Sequence, residues 1–493
     1  MRGFVKSTSL IGMTEISLLL VSVLRNKYLA VTIGPAGLGL FSLLQSLFSF
    51  MDVFAGASLA APALKYISEY KNSKDKVIVS RVFNFSFSLT FVLASFIAIG
   101  ATIFFDVIKS SFLSPEVLFF HYSLFAASFV ATSLTNILAS LFQAYVFTKK
   151  VVFQRIATNV FGLVATLLLV YLFDLTGFFV SMTLSSIFGL VLYLREGSRI
   201  IKFEFSLSQL KDDIIKKVMN FGAITVLLGI LNFGSELIRR VLIVNTLNIF
   251  SLGLFQAATG LTRYQSLIST SAGFSFMPKI SENLSNTERI KLFNQYLRMI
   301  LTLGTISSVF LIVFGDFIIG LLYAKSFVNL SSVFYIFVVA QFFVLCQSSF
   351  QFLMVGMAKM KIHLLLTFLY HLSTVVVPLI FIREYGLLSI GWGVLAGILI
   401  DIVIGYEFLR REIGMHFTRD NLILLSLAVG SMALVSFFHT GLIFIARIGM
   451  SALITLMMML TVKRSEWAAL RGLISSTIAG KRTPDIRDIS DPF

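Results

Sequence analysis

The chain has 493 residues, of which 57% are hydrophobic and only 13% are charged, and its mean hydropathy is +0.92. This number of charged side chains is too small to cover the surface of a water-soluble globule of this length. The composition therefore predicts a chain that is solvated mainly by lipid. The net charge of +16 does not indicate nucleic-acid binding, because the basic residues are scattered between apolar runs and form no basic domain with interleaved aromatic side chains.

Apolar runs of roughly 20 residues, the length with which a helix crosses a bilayer, recur along the whole chain. They are continuously apolar, which favours helices over barrel strands, whose residues alternate. The sequence therefore predicts an all-α membrane protein with about fourteen transmembrane helices. The expected spans are 8–31, 36–62, 82–106, 116–146, 152–172, 176–194, 218–246, 250–277, 292–315, 326–356, 362–382, 387–409, 421–438 and 441–462.

Positive charge is distributed unevenly between the loops that join these spans. If both termini are cytoplasmic, only three of the 40 Lys and Arg residues, Lys109, Lys325 and Arg383, fall in loops on the outer side. Basic loops are retained on the cytoplasmic side of a membrane. The sequence therefore predicts a multi-pass protein with both termini in the cytoplasm.

An internal repeat predicts how the spans are grouped. Leu38-Gly39-Leu40-Phe41 recurs as Leu252-Gly253-Leu254-Phe255, and at the same spacing Arg25 falls on Arg239 and Lys65 on Lys279. Two repeats of six spans keep the same orientation, so an axis along the membrane normal should relate them, with substrate bound between them. The expected organisation is a lobe over 1–213, a lobe over 214–416, two further helices within 417–462 and a basic cytoplasmic tail over 463–493.

Basic side chains inside the predicted spans are the candidate substrate-binding residues, because a charge in hydrocarbon needs a compensating environment such as a polar cavity. A guanidinium group presents a planar fork to phosphate oxygens, so paired Arg residues could bind a diphosphate. Snorkelling to the membrane surface is the alternative for residues near helix ends, and an ion pair with Glu236 is the alternative for Arg240. The candidates are Arg25, Lys27, Arg239, Arg240 and Arg263, whereas Arg447 in the last span is expected to be an interface anchor.

Acidic side chains inside the spans are candidates for coupling transport to a proton or sodium gradient. Structural pairing with a neighbouring Arg or backbone group is the alternative for each of them. These residues are Glu15, Asp52, Glu236 and Asp401.

Motifs of soluble enzymes are not found. The sequence has no phosphate-cradling Gly-rich loop, its five His residues form no i, i+4 pair, and its single cysteine, Cys346, lies in an apolar run. We therefore expect no catalytic residues, no metal site and no cofactor.

The segment Gly34-Pro35-Ala36-Gly37-Leu38-Gly39-Leu40, with Lys27-Tyr28-Leu29-Ala30-Val31 before it and Ala55-Gly56-Ala57 and Lys65-Tyr66 after it, resembles the start of Wzx-type polysaccharide flippases. These belong to the multidrug/oligosaccharidyl-lipid/polysaccharide exporter superfamily. The resemblance implies two six-helix lobes around a cationic central cavity in the bacterial inner membrane. It also implies alternating access that moves an undecaprenyl-diphosphate-linked oligosaccharide, such as an O-antigen or another surface polysaccharide unit, from the cytoplasmic to the periplasmic leaflet.

Three other functions remain open at this point. A drug or cation antiporter of the same fold would need carboxylates in its cavity, whereas the spans hold six basic and four acidic residues. A flippase for the peptidoglycan precursor shares the fold and the charge requirement. A glycan polymerase would need a sizeable outer loop, and the predicted outer loops are short; polymerase machinery is instead a candidate partner, beside membrane lipids.

Overall fold

The structure, a computed structural model, is almost entirely helical in the part of the chain that it describes and holds no strand there. The predicted all-α membrane fold class is confirmed. Nine helices or joined helical segments among the described residues are long and apolar enough to cross a membrane. The described residues are 17–18, 20–71, 76–112, 117–145, 148–206, 212–280, 284–323, 325–438, 449, 451–455 and 458.

The chain forms two compact units, which divide between Leu252 and Gly253. This division follows the compactness of the fold, whereas the predicted lobes 1–213 and 214–416 follow the repeat in the sequence. The lobes therefore stay a prediction. The helices of the first unit are α1 (20–32), α2 (Gly34–Val53), α3 (Gly56–Tyr70), α4 (Lys76–Ile103), α5 (Phe105–Phe112), α6 (Phe119–Ala144), α7 (Thr148–Gly197), α8 (Asp213–Gly229) and α9 (Ser235–Thr246).

The second unit begins within α10 and is built in the same way from long apolar helices. A 3₁₀ turn, Arg263–Gln265, joins its first two helices, and a second, Lys325–Leu330, precedes α13. Its helices are α10 (Ile249–Thr262), α11 (Ser266–Ile280), α12 (Asn286–Leu322), α13 (Ser331–Gly356), α14 (Met360–Tyr385), α15 (Leu388–Ile413) and α16 (Arg419–Phe438).

The long helix α7 is a hairpin of two spans, as the sequence predicts. Asp174, at its middle, has a φ of 45°, which breaks the helical path. Gly177 follows, and a Cβ there would lie 1.8 Å from a backbone oxygen of the first arm, so only glycine fits this turn. Gln154 Nε2, near the start of α7, donates to the Leu192 carbonyl near its end at 3.4 Å, so the two arms are antiparallel.

Two predicted spans, 36–62 and 250–277, are interrupted instead of continuous. The first breaks at 54–55, between α2 and α3, and the second at the 3₁₀ turn after α10. Hydropathy records the length of an apolar run but not the side-chain hydrogen bonds that allow a helix to break inside it. The other predicted spans between 82 and 438 are helical over most of their length. Of the first span, 8–31, the structure describes 17–18 and 20–31, which are helical, and the fourteenth, 441–462, lies mostly outside the described residues.

The packing of the first unit separates a protein-facing from a lipid-facing side. Phe83, Phe142 and Ile215 are fully buried in a core that α3, α4, α6, α7 and α8 share. Large apolar side chains such as Phe96 and Leu168 are exposed on the outer faces. A water-soluble protein does not expose such faces, so they are the surfaces that lipid covers.

Asp212 caps the N-terminus of α8 and links it to α4. Its Oδ1 accepts from the Ile214 N–H at 3.1 Å, and its Oδ2 pairs with Arg81 Nη1 at 2.5 Å. The Ile214 N–H and then the Arg81 guanidinium lower the pKa of this carboxyl from its ordinary value. The charged cap therefore stabilises the fold above the ordinary aspartate pKa, and this contribution is lost as the pH falls through the lowered pKa.

We expect Asp212→Ala to reduce stability by about 1 kcal/mol at neutral pH, the usual effect of removing an N-cap. The difference from the wild type should disappear in acid, and melting temperatures in detergent at both pH values measure it. Asp213→Ala is the matched control, because Asp213 is exposed and pairs with the exposed Lys216, at 3.3 Å, with no second ion pair among the described residues. Equal losses in the two variants would contradict this role of Asp212.

Candidate functional site

Arg25 is a guanidinium group for which the described residues supply no counter-charge. It lies on α1, with its Cζ 5.5 Å from the centre of the Phe41 ring on α2. Within the described residues it makes no ion pair, and its Nε is buried without a hydrogen-bond partner. An aromatic ring orients a cation but does not neutralise it. Lys27, two residues further along α1, is exposed.

A pocket of about 300 Å³ opens beside Arg25 inside the first unit. Residues of α1, α2, α6 and both arms of α7 line it. Eight of the described lining side chains are neutral and polar, which is unusual for the interior of a membrane-embedded unit. The eight are Thr132, Thr135, Thr158, Asn159, Thr166, Ser181, Ser185 and Ser186.

The hydroxyl groups of this pocket are mostly acceptors. Thr135, Ser181, Ser185 and Ser186 each donate to a carbonyl of their own helix, at 2.6–3.0 Å. A hydroxyl that has donated its only proton can still accept through its oxygen. Thr158 Oγ1 differs from them, because it is buried without a partner among the described residues. The pocket therefore combines one cation, one uncommitted hydroxyl and several acceptor oxygens.

The adjacent residues Arg239 and Arg240 on α9 have opposite environments. Arg240 is 3% exposed, its Nη2 lies 2.6 Å from Glu236 Oε1, and its Nη1 donates to the Ser42 carbonyl. The ion pair that the spacing of Glu236 and Arg240 allows is therefore present. Arg239 has two buried nitrogens, Nε and Nη1, without a partner in the described part of the chain.

The helix α2 connects Arg25 and Arg240 within the first unit, because they contact its consecutive residues Phe41 and Ser42. A π-helical segment, Ile230–Gly234, directly precedes α9. Such segments widen the helix locally and are frequent at functional sites.

The other predicted site residues lie elsewhere. Arg263 is in the second unit, where its exposed side chain stands at the 3₁₀ turn after α10. Glu15 and Arg447 lie outside the described residues.

Asp52 is fully hydrogen-bonded at the break between α2 and α3. Its Oδ1 accepts from Ser133 Oγ at 2.6 Å and from the Gly56 N–H at 3.2 Å, and its Oδ2 accepts from Asn136 Nδ2 at 2.9 Å. The carboxylate thus ties the broken helix to α6. Both of its oxygens already have partners, and its predicted ion-coupling role stays a prediction.

Asp401 on α15 is buried with one oxygen free. Gln347 Nε2 donates to its Oδ2, and the side chains of Gln351 and His363 also lie near the carboxylate. Asp401 Oδ1 and His363 Nδ1 are each buried without a hydrogen-bond partner in the described part of the chain. Both groups lie in the second unit, and a buried carboxylate that interacts with a histidine is a candidate for binding a proton or a cation.

Sequence reasoning missed the hydroxyl-lined pocket and His363. Ser and Thr are common in membrane helices, where they usually bond to their own backbone, so their number alone gave no signal. His363 and Asp401 lie on α14 and α15, and no spacing rule relates residues on different helices. No group of three metal-ligating side chains occurs among the described residues.

The fold is similar to several solved membrane-transporter structures. The lipid II flippase MurJ in an inward closed conformation has a TM-score of 0.74 at 14% identity, with 91% of this chain and 97% of that chain covered. An inward-facing multidrug resistance MATE family transporter has a TM-score of 0.67 at 13% identity, with 83% and 98% covered. At these identities the likeness concerns the fold.

A third similar structure comes from Pyrococcus furiosus and is described as a transporter whose reversed binding-pocket polarity suggests a different function. Its TM-score is 0.53 at 14% identity, with 83% of this chain and 96% of that chain covered. A search of curated protein sequences finds no match.

The helical architecture and these likenesses define a multi-pass membrane protein with the fold of solved MOP-superfamily transporters, a superfamily that comprises the multidrug, oligosaccharidyl-lipid and polysaccharide exporters. The chain belongs to the family described as polysaccharide biosynthesis protein, whose model matches residues 4–284. The resemblance found in the sequence is therefore confirmed.

Proposed function

We propose that the protein is a flippase that moves an undecaprenyl-diphosphate-linked oligosaccharide, an O-antigen or other surface polysaccharide unit, from the cytoplasmic to the periplasmic leaflet of the bacterial inner membrane. The observation that carries the proposal is Arg25, a guanidinium without a counter-charge among the described residues of a membrane-embedded unit. A buried charge is costly and is retained where it serves a function. Arg239 is a second such group.

A diphosphate is the anion that these groups fit best. Arg binds phosphate oxygens through two parallel N–H donors, and the family assignment favours a substrate from polysaccharide biosynthesis. The lipid tail would remain in the bilayer while the head group passes through the protein by alternating access. No covalent chemistry is required, so we infer a transporter without catalytic residues or a resident cofactor.

Reconstituted protein tests this proposal directly. Proteoliposomes should move a labelled polyprenyl-diphosphate oligosaccharide to the leaflet that a membrane-impermeant reagent can reach. The combined variant Arg25→Ala, Arg239→Ala, Arg263→Ala should move it at least about ten-fold more slowly, because charged hydrogen bonds contribute roughly 1.5–3 kcal/mol each.

The control for this variant removes the same charge from exposed positions, as Lys216→Ala, Lys217→Ala, Arg410→Ala. It should transport like the wild type. Undiminished transport by the first combined variant would exclude a cationic binding site for the substrate.

We infer further that Asp401, with His363, couples transport to a proton or sodium gradient. The free oxygen of Asp401 supports this assignment more strongly than the fully bonded Asp52 does.

Two other functions share the fold and give different results in the same vesicles. A peptidoglycan-precursor flippase would move lipid II in preference to the polysaccharide precursor. A drug antiporter would expel cationic drugs, which the unpaired Arg25 and Arg239 disfavour.

A further inference from the structure

The pocket beside Arg25 is chemically matched to a sugar that carries an anionic group. Thr135, Ser181, Ser185 and Ser186 have donated their protons to the backbone, so each can still accept from a hydroxyl group of a ligand. Ser181 and Ser186 have one lone pair left for this, because they also bond the hydroxyls of Thr166 and Thr132. Sugars are rich in such donors. At about 300 Å³, the pocket has the volume of roughly ten liquid waters, which is room for one sugar ring but not for a whole oligosaccharide.

The polarity of the pocket excludes two simpler ligands. A metal cation or an ammonium group would be repelled by the guanidinium of Arg25, for which the described residues supply no compensating carboxylate. A small inorganic anion would bind Arg25, but the hydroxyl groups that donate their protons to the backbone would turn their lone pairs toward it and repel it. A ligand with an anionic group at one end and hydroxyl donors at the other matches both the Arg25 guanidinium and the acceptor oxygens of the pocket.

The shape of the pocket is maintained by close packing of the two arms of α7. A Cβ at Gly162 would lie 3.1 Å from Ser185 Oγ, and a Cβ at Gly189 would lie 3.1 Å from Thr158 Cγ2. Because glycine has no Cβ at these two positions, the side chains of Ser185 and Thr158 have the space that they occupy. Thr158, the hydroxyl without a partner, is the donor still free to bond a ligand oxygen.

We propose that this pocket binds a single sugar ring bearing an anionic group, with Arg25 and Thr158 bonding the anion and the committed hydroxyl groups accepting from the ring. The inference rests on the proposed function for the origin of the ligand: in a diphosphate-linked glycan, the ring joined to the diphosphate always carries a phosphate. A carboxylated sugar within the glycan has the same chemistry and is the second source.

Binding to the purified full-length protein, measured by saturation-transfer NMR, tests the pocket without transport. The probes are glucose 1-phosphate, galactose 1-phosphate, N-acetylglucosamine 1-phosphate, glucuronic acid, glucose and inorganic phosphate. Sugar phosphates or the uronic acid should bind more tightly than either glucose or phosphate alone. The better of these two classes identifies the source as the diphosphate-linked ring or as an acidic sugar of the glycan. Equal binding of inorganic phosphate, or of glucose, would overturn the proposal.

Three variants locate the binding. Arg25→Gln should weaken it at least about ten-fold and Thr158→Val several-fold, as expected for a charged and a neutral hydrogen bond. Thr102→Val is the matched control, since Thr102 donates to Ala98 O at 2.7 Å outside the pocket, and it should bind like the wild type. Unchanged binding in Arg25→Gln would contradict the assignment even if all variants fold.

The two proposals can fail separately. If the vesicles transport glycolipid but the protein binds no anionic sugar, the pocket is wrong and the flippase stands. If the protein binds anionic sugars and transports no glycolipid, the pocket stands and the proposed transport is wrong.

Discussion

Arg240→Gln should lower the stability of the protein by about 3 kcal/mol, whereas Arg239→Gln, one residue earlier, should leave it unchanged or raise it. Arg240 is buried between Glu236 and the Ser42 carbonyl, so its removal takes a buried cation away from the Glu236 carboxylate and a donor away from the Ser42 carbonyl. Breaking a buried ion pair by removing one member costs roughly 3–5 kcal/mol, and the partial exposure of Glu236 places this case at the lower end.

Arg239 has no partner to leave behind in the described part of the chain, and its guanidinium loses hydration in the fold. Its replacement by a neutral side chain removes that cost. Per folded molecule, Arg239→Gln should reduce transport more than Arg240→Gln does. In the proposed function Arg239 binds the substrate, whereas Arg240 stabilises the fold. Thermal melting in detergent and vesicle transport measure the two properties on the same preparations.

The double variant Glu236→Gln, Arg240→Gln is the control for the stability effect. It leaves no unpaired charge, so it should recover most of what Arg240→Gln loses. Equal destabilisation by Arg239→Gln and Arg240→Gln would show that the difference in pairing has no energetic consequence.

Asp401→Asn should abolish the stimulation of transport by an ion gradient while it leaves the fold intact. The free oxygen of Asp401 makes no hydrogen bond among the described residues, so an amide can keep the bond from Gln347 and place its NH₂ on the unbonded side. The change removes the negative charge, and with it the ability to bind a proton or sodium ion. Transport down a glycolipid gradient should persist.

Asp52→Asn is the matched comparison, because this aspartate is also buried. Both of its oxygens accept hydrogen bonds, so an amide must point a donor at Ser133, Gly56 or Asn136. Loss of such a bond, with a buried donor left unpaired, should cost about 1–3 kcal/mol. Gradient-stimulated transport that survives Asp401→Asn, measured with and without a pH or sodium gradient, would exclude Asp401 as the coupling residue.

Much of the membrane architecture follows from the sequence because a bilayer imposes one dominant requirement. Each crossing needs a run of apolar residues with all backbone groups bonded internally, so the apolar runs predicted where most of the helices lie among the described residues. The turn between 152–172 and 176–194 was also predictable, since Asp174 interrupts the apolar run. The breaks after α2 and after α10 were not, because they depend on local hydrogen bonding that hydropathy does not record.

The candidate site was only partly predictable for a similar reason. The residue types and their depth in the spans identified Arg25, Arg239 and Arg240 as unusual. Whether a charge is neutralised depends on its neighbours in space, and these three were not distinguishable before their partners were known. The sequence likewise could not distinguish Asp52 from Asp401, because their hydrogen-bond partners lie on other helices.

The sequence by itself determined that this protein is an all-helical membrane protein and indicated the family that it resembles, because apolar runs and a short N-terminal motif depend only on the order of residues along the chain. Only the tertiary structure decided which charges are compensated. Arg240 is bound to Glu236 on its own helix, Asp52 to donors on α6, and Arg25 lies beside a pocket of hydroxyl groups drawn from helices far apart in sequence. Electrostatic compensation acts through distance in space, and the fold alone sets those distances.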